Sequence, residues 1–423
     1  MRDYPRKAGA RFALVAFAIA LGVTACDRDP EPEAVAVPGV DMDNRILYVG
    51  ALNDQSGPAA ELGRPFSLGL GTLIHRMNRG DTDLLPEGWR VRLVEHDHAY
   101  DPERVEAGFE DTHDEVLFYV SVFGSSPVMQ LQPKLREHGI VAFPTSAFSG
   151  AAEHPYTPTV GTSYEMEGMR AMDWAVDHRG ADALRAGVIY RDDEYGRDAY
   201  RGWLKGATHY GIEVLAEHAI SPADDDADMA DAIASLAEQD VDVVFLATLP
   251  PETVTVVTIA DSMDYRPGMW IGSAPFMTER FFDHRMIDPA LFENTYLVTG
   301  FPVWGDQTPV VRQFRESLET YTEGRIRPNT YILASYVWAQ PAFEAFRRAL
   351  ASGDVSREGY LKALQSIDDL DLNGAFPDPL DFTTMPYRTA TRMRVLYMDM
   401  DAGALVTVDD YAAPRSLEPV AAR

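Results

Sequence analysis

Residues 45–70 read RILYVGALNDQSGPAAELGRPFSLGL. Residues 46–52 (ILYVGAL) form a short apolar run suited to a buried strand, and Phe66, Leu70, Leu73, Ile74 and Met77 then recur at helical spacing. A polar, Gly- and Pro-containing turn separates them. A strand, a turn and an amphipathic helix in this order make the first unit of an α/β fold.

The pattern repeats along the chain. Residues 91–94, 116–123, 140–143, 186–190, 241–247 and 269–271 are further strand-like runs, each with a helical segment between it and the next. Asp101-Pro102 marks a helix start, an N-cap followed by proline at the first helical position. Strictly alternating βα units predict parallel sheets covered by helices on both faces, a doubly wound α/β architecture. In such sheets ligands bind beyond the carboxyl ends of the strands. The segments to inspect are therefore residues 53–63, 124–127 (GSSP), 144–150 (PTSAFSG), 191–196 (RDDEYG), 248–252 (TLPPE) and 272–276 (GSAPF).

Upstream, Arg2, Arg6, Lys7 and Arg11 precede an uncharged apolar run, residues 12–23, and small residues lead into Cys26, the single cysteine of 423 residues. That order is the layout of a secretory signal peptide, and the run is shorter than the about 20 apolar residues of a spanning helix. Val23-Thr24-Ala25-Cys26 resembles a bacterial lipobox, which makes Cys26 the expected lipid-attachment site and residues 1–25 the signal. Residues 26–44, rich in Pro and acid, are expected to be a disordered tether. With one cysteine there is no internal disulfide.

Residues 1–25 carry a net +3, so their removal takes the formal charge from −29 to −32. Such acidity argues against nucleic-acid partners and against a basic membrane-binding patch, leaving lipid as the means of attachment. About 400 mature residues suffice for two sizeable cores.

Among the motifs, Ser125-Ser126-Pro127 fits first a plain capping serine before a proline and, as the alternative, a carboxylate site at a helix start. His96-Asp97-His98 lacks a third ligand nearby, and Asp224, Asp226 and Asp228 lack the glycine of a calcium loop, Met229 standing there. Neither is expected to hold metal; the aspartates are expected to cap and charge the helix that follows. Tyr331, Tyr336 and Trp338 are expected to be packing residues. No G-x-S-x-G, H-E-x-x-H or Walker motif is present. No catalytic residue and no cofactor is expected.

The ordered succession of VGALNDQSGPAAELGRPFSLGL (49–70), VEHDHAYDPERV (94–105), VSVFGSSP (120–127), HGIVAFPTSAF (138–148), VIYRDDEYGRDAYRGW (188–203) and DVDVVFLATLPPE (240–252) resembles the type I periplasmic binding proteins, in particular the Leu/Ile/Val-binding branch serving ABC importers. The resemblance spans residues 45–400, nearly the whole mature body. It implies two α/β lobes joined by three crossovers, expected near residues 161–164, 298–302 and 382–388. Lobe 1 would comprise residues 45–163 and 300–383, lobe 2 residues 164–299 and 384–413, and residues 414–423 a tail.

Carried over position by position, the resemblance implies ligand contacts from Ser125, Ser126, Ser146, Phe148, Tyr195, Leu62, Leu249 and Ala274. Phe148, Leu62 and Leu249 replace a threonine and two aromatics of the family. Ala274 stands where amino-acid-binding members carry an acid that pairs with the ligand ammonium. The ligand is therefore expected to be an organic acid, an aromatic acid or an amide, unless Glu194 or Glu252 substitutes for the missing acid. The implied function is a monomeric, lipid-anchored receptor that closes over a small molecule and delivers it to permease subunits. A sensor or protein-binding regulator on the same fold and, less favoured, a lipid-anchored hydrolase are the alternatives.

Overall fold

The computed structural model describes residues 37–221 and 224–417. Cys26 and the expected signal peptide lie outside the described residues. Among the described residues no helix is long and apolar enough to cross a membrane.

The first lobe starts with β1 (Val40–Asp41), β2 (Ile46–Asn53), α1 (Ala60–Asn78), β3 (Arg90–Asp97), α2 (Pro102–Thr112), β4 (Tyr119–Val122), α3 (Ser125–His138), β5 (Ala142–Pro144) and α4 (Ser149–Ala152). β3, β2, β4 and β5 pair in parallel, and β1 pairs antiparallel to β2 through Val40 opposite Leu47. Residues 37–44, expected within the tether, thus belong to the fold, because Val37 and Val40 bury against its core.

The chain then passes to a second sheet. α5 (Tyr164–Arg179), β6 (Ala186–Arg191), α6 (Glu194–Tyr210), β7 (Val214–Ile220), α7 (Asp226–Glu238), β8 (Val243–Ala247), α8 (Pro250–Ser262), β9 (Met269–Ser273) and β10 (Thr295–Thr299) build it. After β10 the chain returns to the first lobe as α9 (Pro309–Thr322), α10 (Thr330–Trp338), α11 (Gln340–Ser352) and α12 (Arg357–Leu364), and α10 packs along α1. A third passage runs beside the first, where the Tyr387 amide donates to Ala152 and the Thr389 hydroxyl accepts from the Gly161 amide. The chain ends in the second sheet with β11 (Met393–Asp399) and β12 (Ala404–Ala412). Arg415, in the segment expected as a tail, is tied down: its amide donates to Asp173 at 2.9 Å and its guanidinium pairs with Asp177.

The second sheet runs β12-β11-β10-β9-β8-β6-β7 and is mixed rather than wholly parallel. β11 is antiparallel to β10, and β12, joined to β11 by a tight turn, is antiparallel to it. Strands β7, β10 and β12 carry no early signal. β7 and β12 are sheet edges with half-exposed, mixed polar sequences, and β10 directly precedes the second passage between lobes.

The turn after β2 explains the opening motif. The buried Asp54 carboxylate accepts from the Gly57 amide at 2.6 Å and the Ala59 amide at 2.8 Å, pinning the entry to α1. A Cβ at Gly63 would stand 1.7 Å from the Asp54 carbonyl oxygen, so only glycine lets α1 pass this close. His96-Asp97-His98 is likewise structural. Asp97 accepts from the Gln55 amide and the Ser56 hydroxyl, and buried His98 meets the Phe123 carbonyl at 3.1 Å. Asp225 is the N-cap of α7 and forms a reciprocal capping box with Asp228, and Asp226 and Asp228 charge the first turn, as expected for these aspartates.

Candidate functional site

The carboxyl ends of both sheets face a shared cavity with about 850 Å3 of empty volume, counting the space open to solvent. From the first lobe its wall takes Leu62 and Phe66 of α1, Phe123 and Ser125 after β4, and Thr145 and Ser146 after β5. From the second it takes Arg191 and Asp193 after β6, Tyr195 of α6, Leu249 after β8 and Ala274 after β9. The returning segment adds Phe301, Thr330, Tyr331 and Trp338.

Six of the eight expected contact residues, Leu62, Ser125, Ser146, Tyr195, Leu249 and Ala274, line this cavity; Ser126 and Phe148 do not. Phe148 turns into the first-lobe core, where its ring fills the space left by Gly150. Ser126 follows Ser125 by one residue in α3, and neighbours in a helix point about 100° apart.

Ser125 is not the N-cap of α3. Gly124 holds that place at φ 98°, a conformation open to glycine, and the Ser125 hydroxyl makes no capping bond. It is 1 % exposed and has no hydrogen-bond partner; the Ser146 hydroxyl, 5 % exposed, has none either. Buried hydroxyls are normally satisfied, so these two, side by side in the lining of one cavity, keep hydrogen-bonding capacity that the protein does not use. The Trp338 indole N–H is also buried and unpartnered. Trp338 and Tyr331, expected to be packing residues, thus belong to the cavity wall, whereas Tyr336 is buried in the core. Phe301 meets Trp338 edge to face with centroids 4.7 Å apart, and Phe66 packs tilted against Trp338 at 5.4 Å.

The second-lobe side is already paired. The Tyr195 hydroxyl donates to the Thr248 carbonyl at 3.2 Å, so its ring rather than its hydroxyl is offered. Arg191 donates from Nε to Asp193 at 2.9 Å and from Nη1 to Glu252. Burial opposes the Arg191 charge, but the two carboxylates outweigh it and raise its pKa. Asp193 spends its other oxygen on the Gly196 amide. Glu252, which burial pushes up against the pull of Arg191, also accepts from the Leu249 amide.

Neither expected substitute acid is therefore free for a ligand ammonium. Glu252 is held by Arg191, and Glu194 faces Arg197 at 3.5 Å outside the cavity lining. Behind Ala274 lies Glu167 of α5, fully buried, accepting from the Ser273 hydroxyl at 2.7 Å and the Ala274 amide at 2.9 Å. Burial pushes its carboxyl up to about 8. Nothing in its sequence surroundings, the polar-looking helix 164–179, marks it as buried.

The family model for periplasmic binding proteins matches residues 47–404. The chain belongs to the periplasmic binding protein family. This periplasmic binding protein is accordingly a binder of solutes and not an enzyme. No curated protein matches its sequence. Among solved structures it is similar to a fatty acid ABC transporter substrate-binding protein from Thermomonospora curvata, with TM-score 0.80, 22% identity, and 90% and 95% of the respective chains covered. It is also similar to a branched chain amino acid ABC transporter protein from Thermus thermophilus with bound valine, with TM-score 0.75, 15% identity, and 88% and 98% covered. A possible leucine/isoleucine/valine-binding protein from Rhodopirellula baltica gives TM-score 0.72 at 18% identity, with 89% and 98% covered. At these identities the likeness carries the two-lobed fold and not the ligand.

Proposed function

We propose that the chain is the extracytoplasmic solute receptor of an ABC importer, moored through a lipid on Cys26, and that its ligand is a small apolar- or aromatic-bodied carboxylate or carboxamide. The observation that carries this reading is the division of the cavity wall. Aromatic and aliphatic side chains make most of it, two unpartnered serine hydroxyls stand on one side, and the lining carboxylate Asp193, with Glu252 beside it, is spent on protein donors. A ligand ammonium would be buried without a counter-charge, which is costly. An oxygen-bearing end meets Ser125, Ser146 and the start of α3, where helix-end N–H groups favour an acceptor. The likeness to the fatty acid-binding protein supports an apolar body, and the valine-bound relative is the contrary precedent.

The site residues sit on both lobes, so a bound ligand favours the closed arrangement and thereby signals occupancy to permease subunits. A thermal-shift panel of octanoate, phenylacetate, phenylacetamide, leucine and valine tests the reading. A true ligand at a hundred times its dissociation constant adds about 2.7 kcal/mol of stability. Stabilisation by the acids or the amide, lost in Ser125→Ala, supports the receptor. Stabilisation by leucine or valine alone refutes the ligand class, and silence across the panel favours a regulator that uses the fold to bind protein.

A further inference from the structure

The turn between β3 and α2 holds backbone that its residue types disfavour. Ala99 and Tyr100 stand in succession at φ 48° and 59°, the left-handed region that suits glycine. Local hydrogen bonds keep them there. The Ala99 amide donates to Asp97 at 3.0 Å, the Tyr100 amide to His98 Nδ1 at 2.9 Å, and the Asp101 amide to the His98 carbonyl at 2.8 Å. With Nδ1 accepting, His98 turns Nε2–H to the Phe123 carbonyl, and burial favours this neutral ring by lowering its pKa.

What the strained turn achieves is the placement of one side chain. Tyr100 lies over Gly124 and lines the cavity. A Cβ at Gly124 would stand 2.6 Å from the Tyr100 ring and 2.8 Å from its hydroxyl oxygen, so glycine there makes room for the phenol. The ring also meets Phe123 edge-on at 6.5 Å. The Ser125 amide, at the start of α3, faces the hydroxyl oxygen, and among the described residues no acceptor takes the hydroxyl proton. Burial raises the pKa of the phenol, Asp193 adding to the rise and Arg191 opposing it, so the proton stays in place. Backbone strain held at a cavity-lining residue points from structure to function. A hydroxyl whose oxygen accepts from a helix-start N–H is also the stronger donor, because hydrogen bonds in a chain polarise one another.

We propose that Tyr100 is a ligand-binding residue that selects a carboxylate over the matching carboxamide, donating its hydroxyl proton to the ligand beside Ser125 and Ser146. The inference rests on the function proposed above and narrows its ligand class. Tyr100 offers a proton rather than an acceptor, since its oxygen is already engaged. A carboxylate presents acceptors alone and receives a charge-assisted bond, whereas a carboxamide must also place an NH2 group that needs an acceptor. The carboxylates of the opposite wall, Asp193 and Glu252, are spent on protein donors.

Isothermal titration with two matched pairs, phenylacetate against phenylacetamide and octanoate against octanamide, tests this, and whichever pair binds decides. The parent protein is expected to bind the acid about tenfold or more tightly than its amide. Tyr100→Phe keeps the ring and should melt cooperatively. It is expected to lose roughly ten- to a hundredfold of affinity for the acid and about tenfold at most for the amide, the ranges of hydrogen bonds to charged and to neutral groups. Equal losses for acid and amide, no loss at all, or a parent that binds the amide as tightly as the acid overturns the proposal and leaves the broader ligand class standing. Binding of leucine or valine alone, or silence toward every probe, refutes that class and the selection with it.

Discussion

The two walls of the cavity differ in what they leave unspent. On the first-lobe side the hydroxyls of Ser125 and Ser146 are buried with no partner. On the second-lobe side Arg191, Asp193, Glu252 and the Tyr195 hydroxyl are committed to one another or to backbone. A wall with open hydrogen-bonding capacity can read a ligand's polar end, whereas a wall whose polar groups are closed on themselves presents shape and apolar surface. The contrast teaches that the same residue types, arginine, serine and carboxylate, act as recognition groups or as scaffolding according to whether the fold has already paired them.

The largest effect should come from breaking the closed second wall. Arg191→Met strands Asp193 and Glu252 in a buried site, and loss of one partner of a buried ion pair costs about 3–5 kcal/mol. Chemical denaturation should show that loss with or without ligand. Next comes the open wall. Ser125→Ala removes a hydroxyl with no protein partner, so unfolding stability should stay within about 0.5 kcal/mol. Ligand affinity should drop roughly ten- to a hundredfold, the range of a hydrogen bond to a charged group. Equal losses of stability and affinity in Ser125→Ala would erase the distinction between the walls.

Glu167 sharpens the comparison through pH. Burial raises its folded-state pKa to about 8, so the folded protein holds this proton more tightly than the unfolded chain does. Its contribution is complete below the ordinary carboxyl range and is lost as pH climbs through about 8. Stability should therefore fall by a few kcal/mol between pH 5 and pH 9, and Glu167→Gln should flatten that slope. A variant as steep as the parent would remove Glu167 as the cause. Tyr195→Phe is the smallest change. It deletes one bond to the Thr248 carbonyl, about 1 kcal/mol of stability, and leaves the ring in place, so ligand affinity should change less than threefold.

Much of this was legible in the chain before its structure. The strand-turn-helix rhythm gave the doubly wound α/β fold, and the rule that ligands sit beyond strand carboxyl ends marked the segments to inspect; the two lobes and the choice of Ser125, Ser146, Tyr195, Leu249 and Ala274 within those segments came from the family resemblance. Those residues lie within a few positions of their strand ends, so a local pattern suffices to mark their segments. Tyr331 and Trp338 are packing residues, as expected, but they also line the cavity, which the sequence hides because α10 is apolar and buried almost throughout, leaving its cavity face indistinguishable from its core faces. Arg191 lay within an inspected segment, but its commitment depends on Glu252, 61 residues away. Ser125 could be a cap or a ligand group on local grounds. Gly124, by taking the cap position, removes the capping reading.

Isothermal titration of the purified protein with phenylacetate, octanoate, phenylacetamide and leucine is the most direct measurement of the cavity's chemistry. The account predicts heat from at least one apolar-bodied acid or amide at micromolar concentration, abolished in the Ser125→Ala, Ser146→Ala double variant, and none from leucine. Micromolar leucine binding with the acids and the amide silent would contradict it.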